Sequence, residues 1–211
     1  MTAVDDYLAC AEAIGTLIAS AQVASGWEKP SALEQWTVAG LAGHTARSVF
    51  LVPGIVAAEV DPTLPPATAI DYFVGALAND DLDVDSAVAV QVRERGLETA
   101  GAGPADLAAR YRAGLLEVAE LLATVDPDRS VTAWGMRLPL SQYLVTRIVE
   151  LAVHGDDLAV SVAAPAPVLP PSAEATVLAT LAGIAGRRRG FAEVMRGLAR
   201  RERVSGPITA F

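Results

Sequence analysis

Apolar residues recur at helical spacing along most of the chain. In residues 3–25, Val4, Leu8, Ala11, Leu17 and Ile18 share one face, which predicts a first helix ending at a break that contains Pro30. Thr37 suits the N-cap of a second helix through Leu41, His44 and Leu51, kinked or interrupted at Pro53-Gly54. After the Pro-rich turn 61–66, residues 67–100 read as a third helical region that the acidic cluster Asp80, Asp81, Asp83 and Asp85 divides into two pieces. Pro104 opens a fourth helix carrying Leu107, Tyr111, Leu115, Val118 and Leu122, with a stop at Asp126-Pro127. An irregular segment with Trp134 and Gly135 follows, and Pro139 opens a fifth helix over 140–161.

The Pro-rich stretch 165–171 then separates that helix from two more, near 172–187 and 190–203. No internal repeat, sustained heptad or alternating strand pattern of useful length is present. The expected fold class is all-α, with antiparallel helices around one core in residues 1–164 and a short helical extension, 165–211, packed on that bundle.

Composition supports helix, since much of the 52% hydrophobic fraction is alanine and aromatics make up only 5%. The apolar runs are broken before the roughly 18 residues a membrane span requires, so no membrane partner is expected. Charge is uneven: residues 165–211 hold seven Arg against Glu174, Glu193 and Glu202, a net +4, which leaves −13 of the total −9 on residues 1–164. Such an acidic body repels nucleic acid. The basic cluster Arg187, Arg188, Arg189, Arg196, Arg200, Arg201 and Arg203 reads as a solvated helix face in preference to an anion site. A single cysteine, Cys10, and an acidic start (Asp5, Asp6) indicate a cytoplasmic protein without disulfides. Cys10 reads as a small buried apolar residue, with no basic neighbour to lower its pKa.

The candidate chemistry lies on two narrow polar stripes. On a helical wheel, Tyr143, Thr146, Arg147, Glu150, His154, Asp157 and Ser161 crowd into a sector of roughly 100°, and nearly all other positions of that helix are apolar. Thr37, Gly40, His44, Arg47 and Ser48 form a matching stripe on the second helix. A surface helix has the opposite proportions, so each stripe is expected to line an internal polar cavity. The chain has two histidines, one at the middle of each stripe. His44, Glu150 and His154 together offer two imidazoles and a carboxylate with a coordination position left open, the pattern of catalytic zinc, though iron, nickel or cobalt also suit these donors. The plainer alternative makes Glu150 and His154 an ordinary helix pair with His44 unrelated.

Trp36-Thr37-Val38, Leu41-Ala42-Gly43-His44 and the run Arg147-Ile148-Val149-Glu150-Leu151-Ala152-Val153-His154-Gly155-Asp156-Asp157-Leu158 resemble the mycothiol-dependent maleylpyruvate isomerase family. The resemblance extends over about residues 4–162 and implies a DinB-like four-helix bundle with metal ligands at His44, Glu150 and His154. It also implies mycothiol as a cofactor, and therefore a metal-activated external thiol attacking a small electrophile, by S-transfer or by cis–trans isomerisation. Arg47 and Arg147 are then candidates to hold a substrate carboxylate, with a salt bridge to Asp or Glu as the plainer reading for either. Asp157, better placed than Asp156, is a candidate to orient a histidine. Trp36 and Trp134 are read as core packing in preference to substrate stacking.

The resemblance departs at the C-terminus, where the characterised isomerase type carries a larger mixed α/β domain and this chain shows a helical segment, so maleylpyruvate is not carried over as substrate. The expected partners are a low-molecular-weight thiol and a small electrophile, in a monomer or homodimer. The competing functions are a non-catalytic bundle that binds a metal or small ligand, and a metal-dependent hydrolase of thiol conjugates.

Overall fold

The computed structural model describes residues 2–77, 84–203 and 206–211. The expected first helix is two, α1 (Ala3–Ile18) and α2 (Ala21–Gly26). The break lies at Ser20, whose side chain accepts a hydrogen bond from the Val23 N–H at 3.2 Å and so caps a new helix, a local competition that apolar periodicity does not register. Helix α3 (Val38–Phe50) starts where expected, with Thr37 Oγ1 accepting from the Gly40 N–H at 3.1 Å, and Pro53 stands in the first turn of the short α4 (Val52–Ala57). The third region is indeed two helices, α5 (Ala69–Leu77) and α6 (Ala87–Ala100). Asp80, Asp81 and Asp83 of the acidic cluster lie outside the described residues, while Asp85 accepts from Gln35 Nε2 at 2.9 Å. Helix α7 is Pro104–Leu122.

The segment expected to be irregular is a β-hairpin, β1 (Ser130–Ala133) paired antiparallel with β2 (Met136–Pro139), with Ala133 opposite Met136. Trp134 and Gly135 both take positive φ, 50° and 69°, the sense of bend that a two-residue hairpin turn requires. Strands of four residues are too short to display an alternation. Trp134 stands at this turn, 60% exposed, so the expectation of core packing fails for it.

Helix α8 spans Leu140–Ser161, α9 Pro171–Arg189 and α10 Phe191–Ala199. The last expected helix is therefore shorter than 190–203, with Arg201–Arg203 forming a 3-10 turn. Helices α1 and α3 each pack against both α7 and α8, closing a DinB-like four-helix bundle, and α6 lies along α3. That last crossing is close: a Cβ on Gly43 would collide with the Gly96 carbonyl oxygen, and one on Gly96 would lie 2.6 Å from the Gly40 carbonyl oxygen. The residue after Gly43 is His44, so this crossing fixes the backbone of the second polar stripe.

The core between the four helices is filled by Ile14 and Ile18, Leu41 and Val49, Leu107 and Val118, and Leu144, Ile148, Leu151 and Leu158, all buried. Two of its tyrosines have their polar tips satisfied: Tyr7 Oη donates to the Ser48 carbonyl (3.1 Å) and Tyr111 Oη to the Ala11 carbonyl (2.9 Å). Helix α9 packs on α1, α5 and α8, and α10 packs on α9.

The arginine-rich end of α9 is not simply a solvated face. Arg187 pairs with Asp71 at 2.7 Å, Arg188 Nη1 donates to the Ala210 carbonyl at 2.6 Å, and Arg189 Nε donates to the Thr209 carbonyl at 2.8 Å. Arg187 thus ties α9 to α5, and Arg188 and Arg189 hold residues 209 and 210 against α9. Among the described residues no helix is long and apolar enough to cross a membrane.

Candidate metal centre

Helices α3 and α8 face each other, and this pairing brings together residues more than a hundred positions apart. Thr37 sets the start of α3, so His44 falls near its middle. Pro139 sets the start of α8, placing Glu150 and His154 one turn apart on the side turned to α3. Glu150 Oε2 lies 3.4 Å from His154 Nε2 and 3.9 Å from His44 Nε2, and one ligand atom from each of the three residues falls within 4.8 Å of the others. Donors about 2.1 Å from a tetrahedral zinc are roughly 3.4 Å apart, so the Glu150–His154 spacing already suits an ion, whereas His44, 3.9 Å from Glu150, would have to move inward. Among the described residues no other group of His, Cys, Asp and Glu offers such a set. The three side chains are 19–22% exposed, enough to be reached from solvent.

The surroundings fix two of the three donors. His154 Nδ1 lies 3.1 Å from Asp157 Oδ2, which holds the ring with Nε2 toward Glu150, whereas Asp156 is exposed and faces away. Arg147 Nη2 lies 4.0 Å from Glu150 Oε1. His44 is held differently. Its Nδ1 is sealed and has no hydrogen-bond partner among the described residues, so the tautomer it adopts is set by whatever occupies Nε2. Trp36 packs edge-on to the His44 ring with centroids 5.2 Å apart, and the two imidazoles meet edge-on at 4.8 Å.

The protonation states follow from these contacts. Burial, the nearby His154 and Arg47 push His44 down to about 4, against the opposing pull of Glu150, so this imidazole is neutral. Burial works against charge on Glu150 and His154 as well, but there it is outweighed. The hydrogen bond from His154 and the charge of Arg147 bring Glu150 down to about 2, while Asp157 and Glu150 raise His154 to about 9. In the metal-free protein the stability contributed by His154 is complete below its ordinary 6.5 and is lost as pH rises through about 9. That from Glu150 is complete above its ordinary 4.5 and is lost as pH falls through about 2. His44, held neutral down to about 4, costs stability as pH falls below its ordinary 6.5, so chelator-treated protein is expected to show its highest urea midpoint near pH 6.5, with a lower one above pH 9. Equal midpoints in those two ranges would contradict the charged Glu150–His154 pair.

The two arginines considered for a substrate carboxylate have different environments. Arg147 is buried and committed: Nη2 donates to Tyr72 Oη at 3.0 Å, Nε donates to Thr146 Oγ1 at 3.1 Å, and the guanidinium lies 5.6 and 5.1 Å from the Tyr72 and Tyr143 ring centroids. Arg47, partly buried, makes no hydrogen bond or ion pair among the described residues. Tyr72 is a member of this network that the sequence reading missed. It comes from α5, and no spacing along α8 signals which aromatic of another helix will meet Arg147.

Ser161, the last residue of the stripe, is structural, donating to the Asp157 carbonyl and accepting from the Ala32 N–H. Cys10 is fully buried, and burial together with the Asp6 charge lifts its thiol to about 12, so it supplies no thiolate. A cleft of about 820 Å³ runs between α1 and α7 past Leu8, Tyr111 and Leu116. It contains none of the three candidate ligands, and the donor set locates the chemistry better than cleft size does.

Residues 7–159, well over half of the chain, match the family model described as the mycothiol maleylpyruvate isomerase N-terminal domain. No curated protein and no solved structure gives a match.

Proposed function

The chain belongs to the mycothiol maleylpyruvate isomerase N-terminal domain family, and from that premise we propose that it is a metal-dependent enzyme that uses mycothiol against small electrophiles. His44, Glu150 and His154 hold one divalent cation, with zinc preferred over the iron, nickel or cobalt that the same donors accept, and leave a position open. The ion supplies the Lewis acidity that makes a thiol nucleophilic at neutral pH. The chain's own residues do the rest. Asp157 fixes the ring of His154, Arg147 fixes the carboxylate of Glu150, and Tyr72 fixes Arg147. Arg47 is available to bind an anionic group of the electrophile. Attack on a leaving group gives S-transfer, the preferred branch, and reversible addition to a cis double bond gives isomerisation.

The observation that carries this reading is the approach of three ligand atoms from two helices to within 4.8 Å. Its test is to incubate zinc-loaded protein with mycothiol and a chromogenic electrophile and to compare His154→Ala. A rate above the uncatalysed reaction, lost in the variant, is expected. No catalysed rate across several electrophiles would favour a non-catalytic metal-binding bundle. Release of free thiol from a mycothiol conjugate, without adduct formation, would favour a hydrolase.

A further inference from the structure

Helices α9 and α10 turn an apolar face to solvent. Around α10, at about 100° per residue, Phe191, Met195 and Leu198 fall within an arc of roughly 60°, beside Val194 and Gly197. Val194 is buried, α10 packs on α9, and a Cβ on Gly197 would lie 2.8 Å from Ile208. That packing fixes the rotation of α10 and leaves the neighbouring arc outside: Phe191 is 77% exposed, Leu198 67% and Met195 43%. With Ala182 and Gly186 of α9 these residues line an open groove of about 350 Å³. Leu178, one turn before Ala182, extends the face and is 68% exposed. A contiguous patch of this kind, unlike apolar residues scattered singly, marks a place where something binds.

The charge around the patch indicates what binds. Residues 187–203 hold seven arginines against Glu193 and Glu202, a net +5, in a chain whose total is −9. Three of the seven are committed, Arg187 to Asp71, and Arg188 and Arg189 to residues 209 and 210. The side chains of Arg196, Arg200, Arg201 and Arg203 are exposed and make no hydrogen bond or ion pair among the described residues. Arg196 lies about 100° round α10 from Met195, at the edge of the apolar arc, and the other three follow the end of the helix. Glu193 is on the far side, roughly 160° from Met195. A two-fold contact with a second copy would set these arginines against one another, so the face calls for a negatively charged partner.

We propose that the outer face of α9 and α10 docks on an anionic lipid surface. Phe191, Met195, Leu198 and Leu178 enter the boundary between headgroups and acyl chains, and the four free arginines bind lipid phosphates at the rim. Their long stems keep each guanidinium at phosphate level while α10 lies in the plane of the interface. A bilayer suits this face better than an acidic protein does, because the apolar side chains protrude, and a fluid interface receives them without a matching pocket. Residues 1–164, with a charge of −13, are repelled by the same surface, so the molecule is held by this end alone. The expectation of no membrane partner rests on the lack of a spanning run, which a surface contact does not need.

The test is sedimentation of the full chain with phosphatidylcholine vesicles, with and without about 30% phosphatidylglycerol. The chain is expected to pellet with the anionic vesicles, to stay in solution with the neutral ones, and to be released as salt rises. Phe191→Ser/Leu198→Ser should weaken binding roughly a hundredfold, about tenfold for each side chain withdrawn from the interface. Arg200→Gln/Arg201→Gln should weaken it roughly thirtyfold, about fivefold per arginine. All four positions are exposed, so helix content by circular dichroism should match the wild type. Vesicle binding at low salt that is absent, equal on both kinds of vesicle, or unchanged in either double variant would overturn the proposal. Salt-sensitive binding to polyglutamate without binding to vesicles would also overturn it, and would assign the patch to an acidic protein.

Discussion

Replacing His44 and His154 together by alanine is expected to reduce bound zinc from about one ion per chain to almost none, while helix content by circular dichroism stays unchanged. The two imidazoles supply two of the three protein donors, and Glu150 alone is a single carboxylate ligand, which holds zinc weakly. The fold should tolerate the loss, because neither ring fills the apolar core: the side chains are 19% and 22% exposed, and their ring contacts are with each other and with Trp36. Each single variant should weaken the metal and leave some bound, since one imidazole and Glu150 remain. Elemental analysis after dialysis measures the stoichiometry. A double variant that retains its zinc would place the ion elsewhere and remove the basis of the catalytic reading.

The second large effect is on stability. Arg147→Met should lower the unfolding free energy of the metal-free protein by about 3 kcal/mol, the lower end of what breaking a buried ion pair costs. Methionine roughly preserves the packing of the aliphatic stem but leaves Tyr72 Oη without its donor and Glu150 without the cation 4.0 Å away. The cost sits at the lower end because protonated His154, 3.4 Å from Glu150, still balances part of the charge. Zinc binding should recover part of the loss, as the ion takes over that balance. Urea unfolding with and without zinc measures both quantities. A change below about 1 kcal/mol would mean that Arg147 is an exchangeable surface-type cation and not the anchor of Glu150.

These expectations draw on features that were legible to different degrees. The limits of α8 follow from Pro139 and the break after Ser161, and the start of α3 from Thr37, because caps and prolines act within one turn of chain. The hairpin at Trp134-Gly135 and the break at Ser20 were not legible. Four-residue strands carry too few positions to show a period, and a serine cap competes with helix by a single hydrogen bond. The bonds of Arg188 and Arg189 at the exposed end of α9 were not legible for a related reason: their acceptors include main-chain carbonyls of residues about twenty positions further on, which have no compositional signature.

The sequence by itself determined the helical class, the two polar stripes and the pairing of Glu150 with His154, because each depends on interactions among residues within a few turns of one another. Only the tertiary structure decided that Arg147 is engaged, that Arg47 makes no hydrogen bond or ion pair among the described residues, and that Tyr72 braces the site. Those outcomes depend on which faces of α3, α5 and α8 meet. That choice is made by packing the whole core and sealing its polar atoms, and no local pattern along a single helix encodes it.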